Sequence, residues 1–189
     1  MKLKVSELVG KIYNLLDENE SIIEERVEYG DPGAMLRPLI EDLLPDAARM
    51  VIKSADISEM DDCISVAGVR TQGAEVLTAV LPEDFMRLVF VRMSDWKYGV
   101  SVSMDFESEQ YQLRRHPRHL RRPSAPAVAV RRQGSQKVLE IFGSTPEATV
   151  DCLDYICLPD ISGKYINLPK GLVTSICTRT AEMVKEVIS

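Results

Sequence analysis

Apolar residues recur at helical spacing near both ends of this chain and at strand spacing through its middle. That change of period leaves few fold classes open. In VSELVGKIYNLLDEN, Val5, Leu8, Val9, Ile12 and Leu16 fall on one helical face, with Ser6 placed to cap the start. The acidic stretch DENESIIEERVEYGDPG follows and predicts a turn at 31–33. A second helical run uses Leu36, Ile40, Leu43, Leu44, Ala47 and Val51. Pro45 interrupts it, because proline lacks an N–H and clashes with the preceding turn. A kinked helix, or two helices with Pro45 opening the second, is expected.

Between residues 63 and 160 the period shortens. CISVAGV and AEVLTAVLP read as short strands joined as a hairpin through 70–73. FMRLVFVRM is rich in β-branched and aromatic residues and suits a buried strand. GVSVSMDFESEQYQL alternates and predicts another strand; AVAVRR and KVLEIFG flank a turn at Gly134 and Ser135. ATVDCLDYICLP reads as a strand before a loop, DISGKYINLPKG. After Pro169, the residues Val173, Ile176, Cys177, Thr180, Val184 and Val187 mark one face of a closing helix. Helices at the ends and strands between them predict an α+β fold: terminal amphipathic helices packed as a small bundle with a central, mainly antiparallel β-sheet region. The length of 189 residues suits one domain, 1–189, helical over 1–55 and 169–189 and β-rich over 63–160.

Charge is unevenly spread along this frame. Residues 111–132, YQLRRHPRHLRRPSAPAVAVRR, hold seven arginines and both histidines of a chain whose net charge is −6. From 110 to 139 the charge is +8 with no acid, which leaves −14 for the rest. Such asymmetry points to a localised polar contact rather than a uniformly basic nucleic-acid binder. Three prolines, Pro117, Pro123 and Pro126, would stiffen 111–132 into a basic extended arm. Its cations are arginines, whose planar forks pair bidentately with carboxylates. The arm therefore reads as a protein contact, against a nucleic-acid arm or a solvated loop.

Familiar catalytic and cofactor patterns are missing. The chain has no GxGxxG, GxxxxGK[ST], GxSxG or HExxH, so no enzyme class, cofactor or metal is expected from motif. Cys152 and Cys157 with the pair His116 and His119 raise zinc as an option. The odd offset within a strand puts the two cysteines on opposite faces, and the spacing is not that of a finger. The four cysteines, Cys63, Cys152, Cys157 and Cys177, read as thiols. Asp105, Glu107 and Glu109 fall on one face of the expected strand, suited to a solvated face or to pairing with arginines. Trp96 is the single tryptophan, suited to a core edge or an interface. No apolar run reaches the roughly 18 residues of a membrane span, and MKLKVSELVGK lacks the apolar stretch of a secretory signal, so a cytosolic site of assembly is expected.

The ordered pattern resembles the head-to-tail connector proteins of tailed bacteriophages: the adaptor rings beneath the portal, including tail-tubular-type rings of short-tailed phages and ring proteins of crAss-like phages. The resemblance runs through an amphipathic N-terminal helix, LRPLIEDLLPDAARMVI, LPEDFMRLVFVRMSDW, SEQYQLRRHPRHLRRPSAP, DYICLP and INLPKGLVTSICTRTAEMV. It covers most of the chain and rests on order and texture.

The resemblance implies a non-enzymatic virion protein of the neck or tail, assembled in the host bacterial cytoplasm. The subunit would form a homo-oligomeric ring of about twelve copies. That ring would dock on the portal protein, contact neighbouring tail or ring proteins, and line the channel for DNA passing without sequence specificity, with no membrane partner. Arg114, Arg115, Arg118, Arg121 and Arg122 would meet acids of a neighbour, such as those at 105–109 or 18–25. Asp105, Glu107, Glu109 and Trp96 complete the expected contact set. The alternative, a nucleic-acid-binding accessory protein using 111–132, has its own signature. Its affinity would fall steeply with salt in a DNA or RNA titration, and neutralising Arg114, Arg115, Arg118, Arg121 and Arg122 would abolish it.

Overall fold

A computed structural model of the protein describes residues 2–17, 32–60, 64–73, 76–116, 125–159 and 161–188. In chain order the first elements are β1 (Lys2–Lys4), α1 (Val5–Asp17), α2 (Pro32–Ser54), β2 (Ile64–Val66), β3 (Thr71–Gln72), β4 (Leu77–Val80) and β5 (Phe85–Met93). Then come α3 (Glu109–Arg115), β6 (Ala127–Gln133), β7 (Gln136–Phe142), β8 (Val150–Cys157), β9 (Ile161–Ser162), β10 (Tyr165–Asn167) and α4 (Val173–Ile188). The fold is α+β with antiparallel sheets. Two compact units form: Met1–Cys63 with Leu158–Ser189, and Ile64–Cys157.

The first unit joins the two ends of the chain. Val5, Leu8, Val9, Ile12 and Leu16 are buried on α1, and Ile40, Leu44, Ala47, Ala48 and Ile52 on α2. On α4 the buried face is Val173, Ile176, Cys177, Thr180, Ala181 and Val184, and α4 packs against both α1 and α2. Val187, expected on that face, is 61% exposed, so the face stops one turn earlier. The buried Thr180 hydroxyl is satisfied by the Ile176 carbonyl at 2.8 Å.

Of the alternatives at Pro45, a single helix forms. α2 runs from Pro32 to Ser54 through both Pro38 and Pro45, and the expected turn at 31–33 is in part its first turn. An interior proline costs about 3 kcal/mol or more. Residues 40, 44, 47, 48 and 52 nevertheless keep one buried face on both sides of it, with Ile40, Leu44 and Ile52 each contributing about 1.5–3 kcal/mol.

The stretch expected as a loop before α4 contains a hairpin. β9 and β10 turn at Gly163 (φ +60°), and β10 pairs with β1, Lys2 opposite Asn167 and Lys4 opposite Tyr165. Ile166 on β10 is fully buried, too short a pattern for periodicity to reveal.

The second unit holds two sheets, ordered β2-β8-β5 and β3-β4-β7-β6. Their shared core includes Leu77, Phe85, Leu88, Val91, Met93, Trp96, Leu139, Ile141, Leu153 and Tyr155. β5 pairs with β8 through three register irregularities, so its burial follows no simple alternation. Phe85 stacks on Tyr155 with ring centroids 5.5 Å apart. Asp95 ties down the chain after β7, accepting from Ser144 Oγ and Thr145 N, each at 2.8 Å.

One expected pairing is wrong. CISVAGV does not form a hairpin with AEVLTAVLP; β2 pairs with β8, Ile64 opposite Ile156. The hairpin is β3–β4, with Gln72 opposite Thr78. Gly73 sits at φ +108°, where an added Cβ would lie 2.5 Å from the Val76 carbonyl oxygen. Only glycine adopts that backbone cheaply. The turn signal was present, and the strand partner was a long-range choice.

Trp96 is buried, and its indole N–H donates to the Gly143 carbonyl at 2.7 Å. Trp96→Phe keeps the ring and leaves that buried carbonyl unpaired. Urea unfolding should show a loss of about 1–3 kcal/mol. A change within a few tenths of a kcal/mol would mean the bond contributes nothing net.

Candidate interaction surface

The sequence DFES makes a turn, because short polar side chains can close on their own backbone. Asp105 Oδ1 accepts from Glu107 N at 3.0 Å, and the Asp105 carbonyl accepts from Ser108 N and Ser108 Oγ. Ser108 then caps α3, its Oγ accepting from Tyr111 N at 3.3 Å. Glu109 lies in the first turn and Arg114 and Arg115 in the last, each where the helix dipole favours its charge.

The stretch 99–113 is therefore not the strand that alternation suggested. Only two bridges remain of it, Val100 with Val91 and Met104 with Ala129. Asp105, Glu107 and Glu109 are exposed, but on a turn and a helix start rather than on one strand face.

α3 is held to the second sheet by its one buried residue, Tyr111. The ring meets Phe142 edge-on at 5.8 Å, and Ala127 and Ala129 complete the cluster. The phenol O–H donates to Glu140 Oε2 on β7. Arg131 Nη1 on β6 lies 3.3 Å from Glu140 Oε1, so one buried carboxylate serves a phenol and a guanidinium. A buried carboxylate without such partners would be strongly unfavourable. Arg115 lies over the outer face of the Tyr111 ring at 5.7 Å. Burial, and then Glu140, push the Tyr111 phenol above its ordinary value of 10.0.

Along residues 98–113 large apolar side chains face outward. Tyr98 is 67% exposed, Val102 76%, Phe106 51% and Leu113 63%. Single exposed apolar residues are ordinary; four in one short stretch suit a contact surface. Two hollows open there. One of about 840 Å³ is lined by Val102, Met104, Asp105, Leu113, Arg114 and Pro126, among others. The other, about 590 Å³, is lined by Phe85, Met86, Phe106, Val130, Arg131, Arg132 and Lys137.

The β6–β7 hairpin, with Gly134 at φ +63°, sets Arg132 directly opposite Lys137. Lys137 Nζ donates to the Phe85 carbonyl and lies over the Phe85 ring at 5.8 Å. Burial lowers its pKa, and the Arg132 charge lowers it further.

Of the expected contact residues, Arg114 is half-buried and Arg115 exposed on α3, while Arg118, Arg121 and Arg122 lie outside the described residues. Trp96 belongs to the core, so its ring is not a contact surface of this unit. The basic extended arm over 111–132 is corrected at both ends: residues 109–115 are helical and 127–132 are strand. Ser108 capping starts the first, and pairing with β7 extends the second. The expectation passed over Arg131, Arg132, Lys137, Phe106 and Glu140. A two-residue turn at Gly134 and Ser135 already sets Arg132 against Lys137 by counting, but nothing local brings Tyr111 to Glu140.

Cys152, Cys157 and Cys177 are thiols; Cys152 Sγ lies 3.2 Å from Asp154 Oδ1, and burial raises its pKa. Among the described residues no cluster of His, Cys, Asp and Glu is arranged to hold a metal ion. Nor is any described helix long and apolar enough to cross a membrane. Compared with known protein families and with curated proteins, the chain matches none.

The raised Tyr111 pKa has a definite sign in stability. Below the ordinary value of 10.0 the phenol is protonated folded or unfolded and contributes no pH dependence. Above it the unfolded chain loses its proton first, so stability falls as pH rises. Denaturant unfolding should show this fall in the wild type and a shallower one in Tyr111→Phe. At neutral pH the variant should lose about 1–3 kcal/mol, since Glu140 keeps only Arg131. Parallel pH profiles would show that the phenol titrates as it does in the unfolded chain.

Proposed function

We propose that this chain is a structural subunit of a bacteriophage head-to-tail connector, a virion ring that docks on the portal and passes the genome to the tail. In this reading the terminal helices pack as a small bundle and form the subunit body, and the β-rich unit supplies contacts to neighbours. The observation that carries it is outward-facing apolar side chains beside cations: Val102 and Leu113 line a hollow with Arg114, and Phe106 lines another with Arg132 and Lys137. Such a surface suits lasting contact with an apolar and acidic protein face.

Charge distribution supports the same reading. A charge of −14 outside residues 110–139 weakens any grip on passing DNA, where phosphate contacts would create drag. Basic and acidic regions on one chain suit a heterologous interface, in which one face of a subunit meets a different face of the next and the rotation closes. Arg131 is already engaged by Glu140, which removes one cation from any phosphate-binding set.

Peptide mass spectrometry on purified particles from the source of this sequence tests the proposal. The chain should appear in copy number near that of the portal protein. Its absence from the particles would end the connector reading.

A further inference from the structure

The hollow beside the β6–β7 hairpin has an unusual composition. Phe85, Met86, Phe106 and Val130 give it an apolar side, and its charged lining is Arg131, Arg132 and Lys137, with no carboxylate among the described lining residues. Arg131 is held by Glu140, but Arg132 has no ion pair among the described residues. Arg132 and Lys137 are cross-strand partners, and like charges directly opposite one another are unfavourable. Burial first, and then the Arg132 charge, lower the Lys137 pKa, while Asp84 acts to raise it. An occupant with carboxylates flanking an apolar side chain would relieve the repulsion and cover Phe106, which is half exposed.

The longest acidic stretch of the chain has that chemistry. Residues 17–31, DENESIIEERVEYGD, contain seven acids and a single arginine, with Ile22, Ile23, Val27 and Tyr29 among them. We propose that the hollow between Phe106 and the β6–β7 hairpin is a docking site for residues 17–31 of a second copy of this chain. Carboxylates of the segment lie on Arg132 and Lys137, and an apolar side chain enters against Phe85, Met86 and Phe106. The inference rests on the proposed self-association. It makes that contact heterologous: each copy offers a segment to one neighbour and a hollow to the other.

The test uses a fluorescent synthetic peptide of residues 17–31 and the full-length chain carrying Glu24→Lys, Glu25→Lys and Glu28→Lys, so that its own segment does not compete. Anisotropy should rise to saturation. Adding Arg132→Glu or Phe106→Ala to the receptor should weaken binding about tenfold or more. Both sites are on the surface, and circular dichroism melting checks that each variant folds. A peptide of scrambled order should bind about tenfold more weakly. No saturation up to about 1 mM peptide overturns the proposal. So does equal binding of the scrambled peptide, which would reduce the effect to bulk charge, or indifference to both substitutions.

Sedimentation velocity then separates a second copy from the same chain. The unsubstituted protein should associate at concentrations near the peptide dissociation constant, and the lysine-substituted chain should remain monomeric. A wild-type monomer at about ten times that concentration overturns docking between copies. Peptide binding by a chain absent from particles would leave this site standing and end the connector reading. Portal-like copy number without peptide binding would do the reverse.

Discussion

A single buried carboxylate, Glu140, organises the α3 end of the β-rich unit. Glu140 sits in the middle of β7 with its side chain out of water, where an ionised group is tolerated only with partners that satisfy it. Those partners come from two different elements: the Tyr111 phenol of α3 and the Arg131 guanidinium of β6. With both in place α3 is fixed against the sheet, and this sets where Arg114 and Arg115 emerge. The preceding turn, closed by Asp105 and Ser108, leaves Phe106 outside the core. Phe106 thereby lines one hollow, and Leu113 and Arg114 of α3 line the other.

The arginine-rich stretch divides into cations with different tasks. Arg131 balances a buried acid, and Arg115 covers an aromatic face. Arg132 is set against Lys137 by the hairpin, and like charges directly opposite one another are unfavourable. Unfavourable local pairing beside exposed apolar side chains is a feature that a contact with another surface can turn to advantage. These differing surroundings do not make a uniformly basic arm, in which each arginine would serve alike.

The two units rest on different physics. In the helical unit, faces at 3.6-residue spacing on α1, α2 and α4 bury enough apolar surface to carry α2 through Pro45. The β-rich unit depends instead on long-range pairing, in which β5 and β8 lie more than fifty residues apart along the chain. Its irregular register lets Phe85, Leu88, Val91 and Met93 all enter the core from one strand.

Periodicity made the α+β class legible, together with α1, α4, β5, β8 and the β6–β7 hairpin, because each has a pattern contained within its own residues. Turn chemistry likewise put Arg132 opposite Lys137 within reach of simple counting. Alternation over 99–113 misled, since hydrogen bonds from Asp105 and Ser108 to nearby backbone outweighed an extended conformation. The partner of β2, the β1–β10 pairing and the junction of Tyr111, Arg131 and Glu140 were decided only by tertiary structure. Each joins residues whose local sequences are indifferent to one another, and only burial of a shared surface selects the match. The amino-acid sequence by itself thus determined which segments are helix or strand and where charge concentrates. Tertiary structure decided which cations are consumed inside the fold and which remain at the surface, because that depends on which buried acid lies within hydrogen-bonding reach.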